Sequence, residues 1–469
     1  MSNSANTRLI RSTGIYFIGT FVSRLLQFFI LPIITAIMTP EEYGTYDLII
    51  VSSGLILPLV TLQVAEALFR FLFNSDKKYK KIIISTVTSL MMLGVLILSL
   101  LIIIENKFIC KLQYSNFIIM YFVTQSILLL YQKVARSLRK NKVFALSGII
   151  QTFVLLITQI ILITKLGFRV NGLLLGNIFS NIVCIIYLES RIRILKYIDI
   201  KSISFKSIKE VITFSLPLIP NSISYWLMNS ANKYIIGITL GITANGIYAI
   251  SNKFPALLTT ATGVFHMAWQ ETSIIEENSK NKDDFNTDIF NAFMIFVISS
   301  VLVLLPLIKI FIPIIIDSKY SEGKLYIPIL IFTSVFNAFS GFYGSAYITY
   351  KKTIGALWTT IIGTIINISI TYILISKIGL FAPAIGSCLA FLIVWIIRVI
   401  SLKKIFNPRI NKSKLFRLLF LSFIIIGIYY IDSIMIQIIT CITMIISWFI
   451  LNRELAFTFI RSKKQDKTN

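Results

Sequence analysis

Arg24, Glu66, Arg70, Lys233, Lys253 and Lys309 are charged side chains set inside stretches that are otherwise apolar. Arg offers five N–H donors in a planar fork that matches the two oxygens of a phosphate, and Lys offers a compact point charge. Arg24 lies ten residues after Gly14, about 15 Å along a helix, and a guanidinium at the middle of a bilayer costs about 2.5–3.5 kcal/mol unless it meets water or a counter-charge. With Thr20 and Gln27 it forms one helical face. Asn221, Tyr225, Asn229 and Asn232 make a second polar stripe at helical spacing, Lys233 follows directly, and Asn252 precedes Lys253. Excess positive charge at depth suits phosphate or pyrophosphate and repels a hydrophobic cation. Glu66 is the opposite type: a carboxylate at membrane depth can bind H+ or Na+, unless Arg24 or Arg70 holds it as a structural partner. Lys233 and Lys253 could instead snorkel outward, as Lys309 and Arg70 are expected to do.

These residues must be positioned by membrane helices. The 469 residues are 56% hydrophobic and 14% charged, with a mean hydropathy of +0.83, far from the composition of a soluble domain. Apolar stretches fall near 14–38, 46–69, 82–104, 114–132, 143–163, 170–188, 211–238, 246–268, 289–316, 325–349, 355–375, 380–397, 415–431 and 433–452. About fourteen membrane-spanning helices are therefore expected, with both termini on one side. Alternate connections are crowded with cations: Lys77 to Lys81, Lys133 to Lys142, Arg191 to Lys209 and Arg398 to Arg417. The opposite connections carry only Lys107, Lys111, Lys165, Arg169, Lys319, Lys324 and Lys377. Positive charge stays on the cytoplasmic side, which places both termini there. The same rule accounts for most of the net charge of +25 and removes the need for a nucleic-acid partner.

The chain also resembles itself. Gly44 and Tyr46 recur as Gly246 and Tyr248, Lys165 and Gly167 as Lys377 and Gly379, and the basic turn Arg139-Lys140 as Lys351-Lys352, in the same order. The pattern gives an all-α polytopic protein of two six-helix lobes, 1–205 and 206–410, with two more helices and a cytoplasmic tail over 411–469. Two-halved carriers place their substrate between the halves and expose it alternately to each side. A central cationic cavity lined by Arg24, Gln27, Asn229, Asn232, Lys233, Asn252 and Lys253 is expected, with Glu66 as the residue for ion coupling.

Several classes are excluded. There is no GxxxxGK[ST] phosphate loop for an ATPase, and a single histidine and four scattered cysteines offer no metal or disulfide framework. Outer connections are too short to fold a catalytic domain, so no enzyme, metal or cofactor is expected.

Arg24 in a polar first span, followed by Met38-Thr-Pro-Glu-Glu-Tyr-Gly44-Thr-Tyr46, resembles the opening of polysaccharide-repeat flippases of the Wzx type. The second half is similar to them as well, through Ser215-Leu-Pro217-Leu-Ile-Pro220, Asn232-Lys233-Tyr234-Ile-Ile-Gly237 and Gly246-Ile-Tyr248. That family shares a superfamily with multidrug (MATE) exporters and lipid II (MurJ) flippases. The resemblance implies a bacterial plasma-membrane protein that carries an undecaprenyl-pyrophosphate-linked oligosaccharide, of O-antigen or capsule, from the inner to the outer leaflet. It also implies coupling to an ion gradient, such as H+ or Na+, or to substrate and product levels. The expected partners are the lipid-linked anionic glycan, membrane lipids, and the polymerase and chain-length machinery. One departure stands out: many relatives carry an acidic residue before the basic one in the seventh span, and this chain has Asn232. The competing readings are a multidrug/cation antiporter, which needs carboxylates in the cavity, and a polysaccharide polymerase or ligase, which needs a large outer loop.

Overall fold

In hydrocarbon a backbone N–H or C=O has no water to turn to, so a chain of this composition must close its hydrogen bonds inside helices. The computed structural model describes residues 28–72, 76–108, 113–138, 140–276, 279, 282–350 and 352–453, and its regular structure is all helical. The helices are α1 (Leu31–Ile37), α2 (Pro40–Val60), α3 (Ala65–Phe71), α4 (Lys77–Phe108), α5 (Ser115–Ser137), α6 (Asn141–Thr164), α7 (Arg169–Ile192), α8 (Phe205–Ser215) and α9 (Leu218–Thr239). They continue as α10 (Ile242–Ser251), α11 (Lys253–Ile275), α12 (Lys282–Ile315), α13 (Ile327–Thr349), α14 (Thr353–Ile378), α15 (Phe381–Leu402), α16 (Lys412–Tyr429) and α17 (Ile434–Leu451). Among the described residues, eleven helical stretches are long and apolar enough to cross a membrane, with α8 and α9 counted as one. The eighth and thirteenth expected spans correspond to α10–α11 and α16, and most of the first lies outside the described residues.

The chain divides into two compact units within α9, between Ser230 and Ala231. In the N-terminal unit, α7 packs along α5 and α6, and Val64, Leu68, Ile84, Val134, Leu188 and Val211 are buried in its core. Thr39 starts α2 with a reciprocal capping box to Glu42, and Pro40 takes the first turn, where its missing N–H costs nothing. The expected second span is broken in two. Pro58 lies in the last turn of α2, and Leu62 and Gln63 both adopt left-handed backbone, at φ 48° and 55°, before α3 begins. Non-glycine residues pay strain there. Gly94 of α4 admits the close approach of the Val60 carbonyl, and a Cβ at that position would collide with it.

The segment after α7 is latched to α4. Ser85 donates to the Tyr197 carbonyl at 3.1 Å and accepts from Asp199 N at 2.8 Å. Lys81 lies 2.9 Å from the Asp199 carboxylate and holds it below its ordinary range. A capping box of Ser204 and Ser207 then opens α8, and the chain turns at Leu216-Pro217 before α9.

In the C-terminal unit α15 packs against α13 and α14, and α11 against α13. Its interior is aromatic: Trp269 stacks on Phe342 with ring centroids 4.5 Å apart, and Phe290 and Phe406 flank Phe342. α16 and α17 pack on α12. Trp448 donates to Ser300 at 3.1 Å and Asn452 to Ser299 at 2.9 Å. Lys309 meets Asp432 at 2.6 Å at the other end of α17, so it is ion-paired as well as near the helix end. Gly167 and Gly379 lie just after α6 and α14 with φ of 66° and 56°, a conformation open to glycine without strain.

Lys309 holds the Asp432 carboxylate below its ordinary range. A lowered folded-state pKa contributes stability above the unfolded value and loses it as pH falls through the folded one. Melting scans of purified protein from neutral to strongly acidic pH should show this loss in the wild type. Asp432→Asn should flatten that part of the profile, and an identical profile in the variant would refute the contribution.

Candidate functional site

The cavity residues do not share one environment. Arg24 and Gln27 lie outside the described residues. Asn229 is exposed on α9, and its amide donates to the Tyr225 carbonyl of its own helix at 2.7 Å. Asn232, one turn later, is buried in the C-terminal unit with 4% exposure. Its Nδ2 donates to Asn367 Oδ1 at 3.1 Å, the Pro383 carbonyl at 3.1 Å and Ser387 Oγ at 2.8 Å, and its Oδ1 accepts from Thr371 at 3.1 Å. Asn232 therefore ties α9 to α14 and α15 rather than facing an open cavity. The Tyr248 hydroxyl approaches the same cluster, against Asn232, Asn252 and Ser387. The Asn252 amide also donates to the Tyr248 carbonyl at 2.8 Å. Lys233 and Lys253 are half-buried. Lys233 lies six residues, about 9 Å, from the end of α9, and Lys253 opens α11, seven residues or about 10 Å from the start of its expected span at 246.

Glu66 takes a partner that its sequence neighbours did not suggest. It forms an ion pair with Lys133 of α5, inside the N-terminal unit, while Arg70 is exposed. The two are far apart in the chain, so no helical spacing could reveal the pair. Beside them, the Gln63 side chain donates to Ser222 of α9, and the Trp226 indole donates to the Val51 carbonyl at 2.8 Å. The break between α2 and α3 thus sits among polar groups, the setting in which irregular backbone persists at membrane depth.

Two polar groupings escaped the sequence reading. Asn177 and Asn181 stand one turn apart on α7. Asn177 donates to the Tyr46 hydroxyl at 2.9 Å, and Asn181 donates to Gln125 Oε1 at 3.0 Å and accepts from Gln151 at 2.9 Å. Their i, i+4 spacing in an apolar span was the available signal. Arg398, assigned to a cytoplasmic connection because it follows a long apolar run, is instead 9% exposed within α15. Its guanidinium donates to Thr359 Oγ1 at 3.0 Å, Thr360 Oγ1 at 3.2 Å and the Ser340 carbonyl at 2.8 Å, and Gly344 leaves room for it. Among the described residues, no group of His, Cys, Asp and Glu could hold a metal ion.

The helices and their polar content define a polytopic membrane protein with two compact helical units. Residues 9–272 match the polysaccharide biosynthesis protein family, and the chain belongs to it. No curated protein matches it by sequence. Among solved structures it is similar to the lipid II flippase MurJ in an inward closed conformation, with a TM-score of 0.70 and 19% identity over 94% of this chain and 99% of that one. It is also similar to an inward-facing multidrug resistance MATE family transporter of the MOP superfamily, with a TM-score of 0.65 and 14% identity over 85% and 99%. A mutant of the Vibrio cholerae MATE transporter VcmN gives a TM-score of 0.59 and 13% identity over 86% and 98%. These likenesses establish the fold.

Interhelical hydrogen bonds in membranes are worth about 0.6 kcal/mol each, and orphaned buried partners add a desolvation cost. Asn232→Leu should therefore destabilise the C-terminal unit by about 2 kcal/mol, read as an earlier melting transition in detergent; unchanged melting would contradict the cluster's role. For the N-terminal unit, a double-mutant cycle of Glu66→Gln and Lys133→Met should give a coupling of about 0.5–1 kcal/mol. Strict additivity would show that the pair contributes nothing.

Proposed function

We propose that the protein is a flippase that moves an undecaprenyl-pyrophosphate-linked oligosaccharide from the cytoplasmic to the outer leaflet of a bacterial plasma membrane. The observation that carries this reading is membership of the polysaccharide biosynthesis family in a chain whose candidate intramembrane site residues include three cations, Arg24, Lys233 and Lys253, against one carboxylate, Glu66. Lys233, Lys253 and Arg24 supply the charge that a pyrophosphate requires, and the guanidinium adds two-pronged geometry. Asn252 lies beside Lys253, and Asn229 and Gln27 supply hydrogen-bonding groups for sugar hydroxyls. The two units expose this charge to each side of the membrane in turn, and no step makes or breaks a covalent bond.

Energy comes from an ion gradient or from consumption of the flipped product by a polymerase. The product serves as O-antigen or capsule precursor, which makes the polymerase and chain-length machinery natural partners. The expected boundaries, 1–205, 206–410 and 411–469, remain the working division for truncation and domain-exchange experiments.

The test is translocation of a fluorescent lipid-linked oligosaccharide in vesicles, scored by accessibility to a quencher that cannot cross the bilayer. Lys233→Gln combined with Lys253→Gln should slow translocation at least tenfold, equivalent to about 1.4 kcal/mol on the barrier, while the protein still inserts and melts normally. Full-rate movement by that variant would remove the two lysines from the site. Failure of the wild type to move the lipid, together with export of a cationic dye, would overturn the flippase reading in favour of a drug carrier.

A further inference from the structure

We propose that the connection from Glu189 to Leu216 is a binding surface for anionic phospholipids, held by their headgroup phosphates and upper acyl chains on the cation-rich side of the membrane. The proposal goes beyond the transport reading and does not depend on it.

The connection leaves α7, makes two short 3₁₀ turns at Ile194–Tyr197 and Ile200–Ser202, and runs through α8 to the turn at Leu216-Pro217. Its place at the membrane surface follows from length. Phe205–Thr239 counts as one apolar stretch of 35 residues, about 52 Å if helical throughout, against a hydrocarbon layer of about 30 Å. α9 alone has 22 residues and, at about 33 Å, crosses that layer. α8 carries Lys206, Lys209 and Glu210 and is therefore left at headgroup level.

Folding sorts the charges of this connection. Its six cations, Arg191, Arg193, Lys196, Lys201, Lys206 and Lys209, are all exposed. Its three acids are taken up by the N-terminal unit itself. Glu189 accepts from the Tyr131 hydroxyl at 3.0 Å and from Ile194 N at 2.8 Å, Asp199 pairs with Lys81, and Glu210 accepts from the Tyr79 hydroxyl at 2.8 Å. The Lys140 ammonium donates to the Arg191 carbonyl at 2.7 Å, and Ser85 holds the backbone at Tyr197 and Asp199. The acids thus tie the connection to α4 and α5, and the cations point away. Because the backbone is already fixed, a ligand has little left to order.

Charge alone would suit any polyanion, and the apolar side chains narrow the class. Leu195, Ile200 and Phe205 are 63%, 74% and 81% exposed, set between the cations. In α8, Ser207, Val211 and Ser215 are buried, and helical spacing puts Phe205, Lys209 and Leu216 on the opposite face. A free phosphate offers nothing to those apolar groups, and leaving them in water is unfavourable. A phospholipid satisfies both needs. Lys and Arg reach its phosphate while their stems and the neighbouring apolar side chains lie along the boundary between headgroups and acyl chains. Anionic headgroups strengthen the attraction, and salt screens it beyond about 10 Å.

The experiment compares melting of the full-length protein in nanodiscs of phosphatidylcholine with and without phosphatidylglycerol. The wild type should melt at a higher temperature in the anionic discs, with a rise that shrinks at high salt. The triple variant Lys196→Gln, Lys201→Gln and Lys206→Gln should melt like the wild type in neutral discs and lose most of the rise. Removing three other exposed cations, by Lys107→Gln, Lys165→Gln and Lys377→Gln, should leave it in place. Phe205→Trp should add indole emission that brominated lipid quenches, above the quenching seen in the wild type. An equal loss in the two triple variants, or the same rise produced in neutral discs by inorganic phosphate, overturns the proposal. So does an added indole that the bromine does not reach. A strap variant that changes the number of chains per disc would give the surface to a second copy of the chain and overturn it as well.

Discussion

A polar atom inside hydrocarbon must find its partner within the protein, and that constraint organises this molecule. Asn232 shows it most plainly. Its amide is fully engaged by groups from α14 and α15, so one side chain fixes the packing of three helices in a layer where apolar contacts alone give little preference for protein over lipid. Arg398 applies the same rule to a charge, spreading its N–H donors over a carbonyl and two hydroxyls. Asn177 and Asn181 apply it in the other unit. Polar residues at depth act first as joints between helices.

That division clarifies which residues are available for the proposed transport. Asn232 is committed to its cluster, whereas Lys233 beside it on α9 is half-buried. Asn232 and the amide and hydroxyl groups it meets make a neutral cluster. The broken second span places strained backbone at Leu62 and Gln63 next to the Glu66–Lys133 pair. Strain of this kind persists only where surrounding contacts hold it, here the contact of Gln63 with Ser222 and the close seat on Gly94.

The helical architecture was largely legible in the sequence because hydropathy follows directly from the bilayer. Partnerships were not legible. Glu66 finds Lys133 on a different helix, a contact set by packing and not by spacing. Arg398 follows an apolar run, so hydropathy could not distinguish a buried last turn from a loop. Helix ends are the part of a membrane sequence that hydropathy defines least well.

The most direct test of the account is the leaflet location of lipid-linked oligosaccharide in cells that lack this protein, with the wild type and Arg24→Ala restored separately. The account predicts accumulation on the cytoplasmic face that the wild type relieves and the variant, present at equal membrane levels, does not. Normal translocation in the deleted cells, or full rescue by the variant, would contradict a flippase working through a cationic intramembrane site.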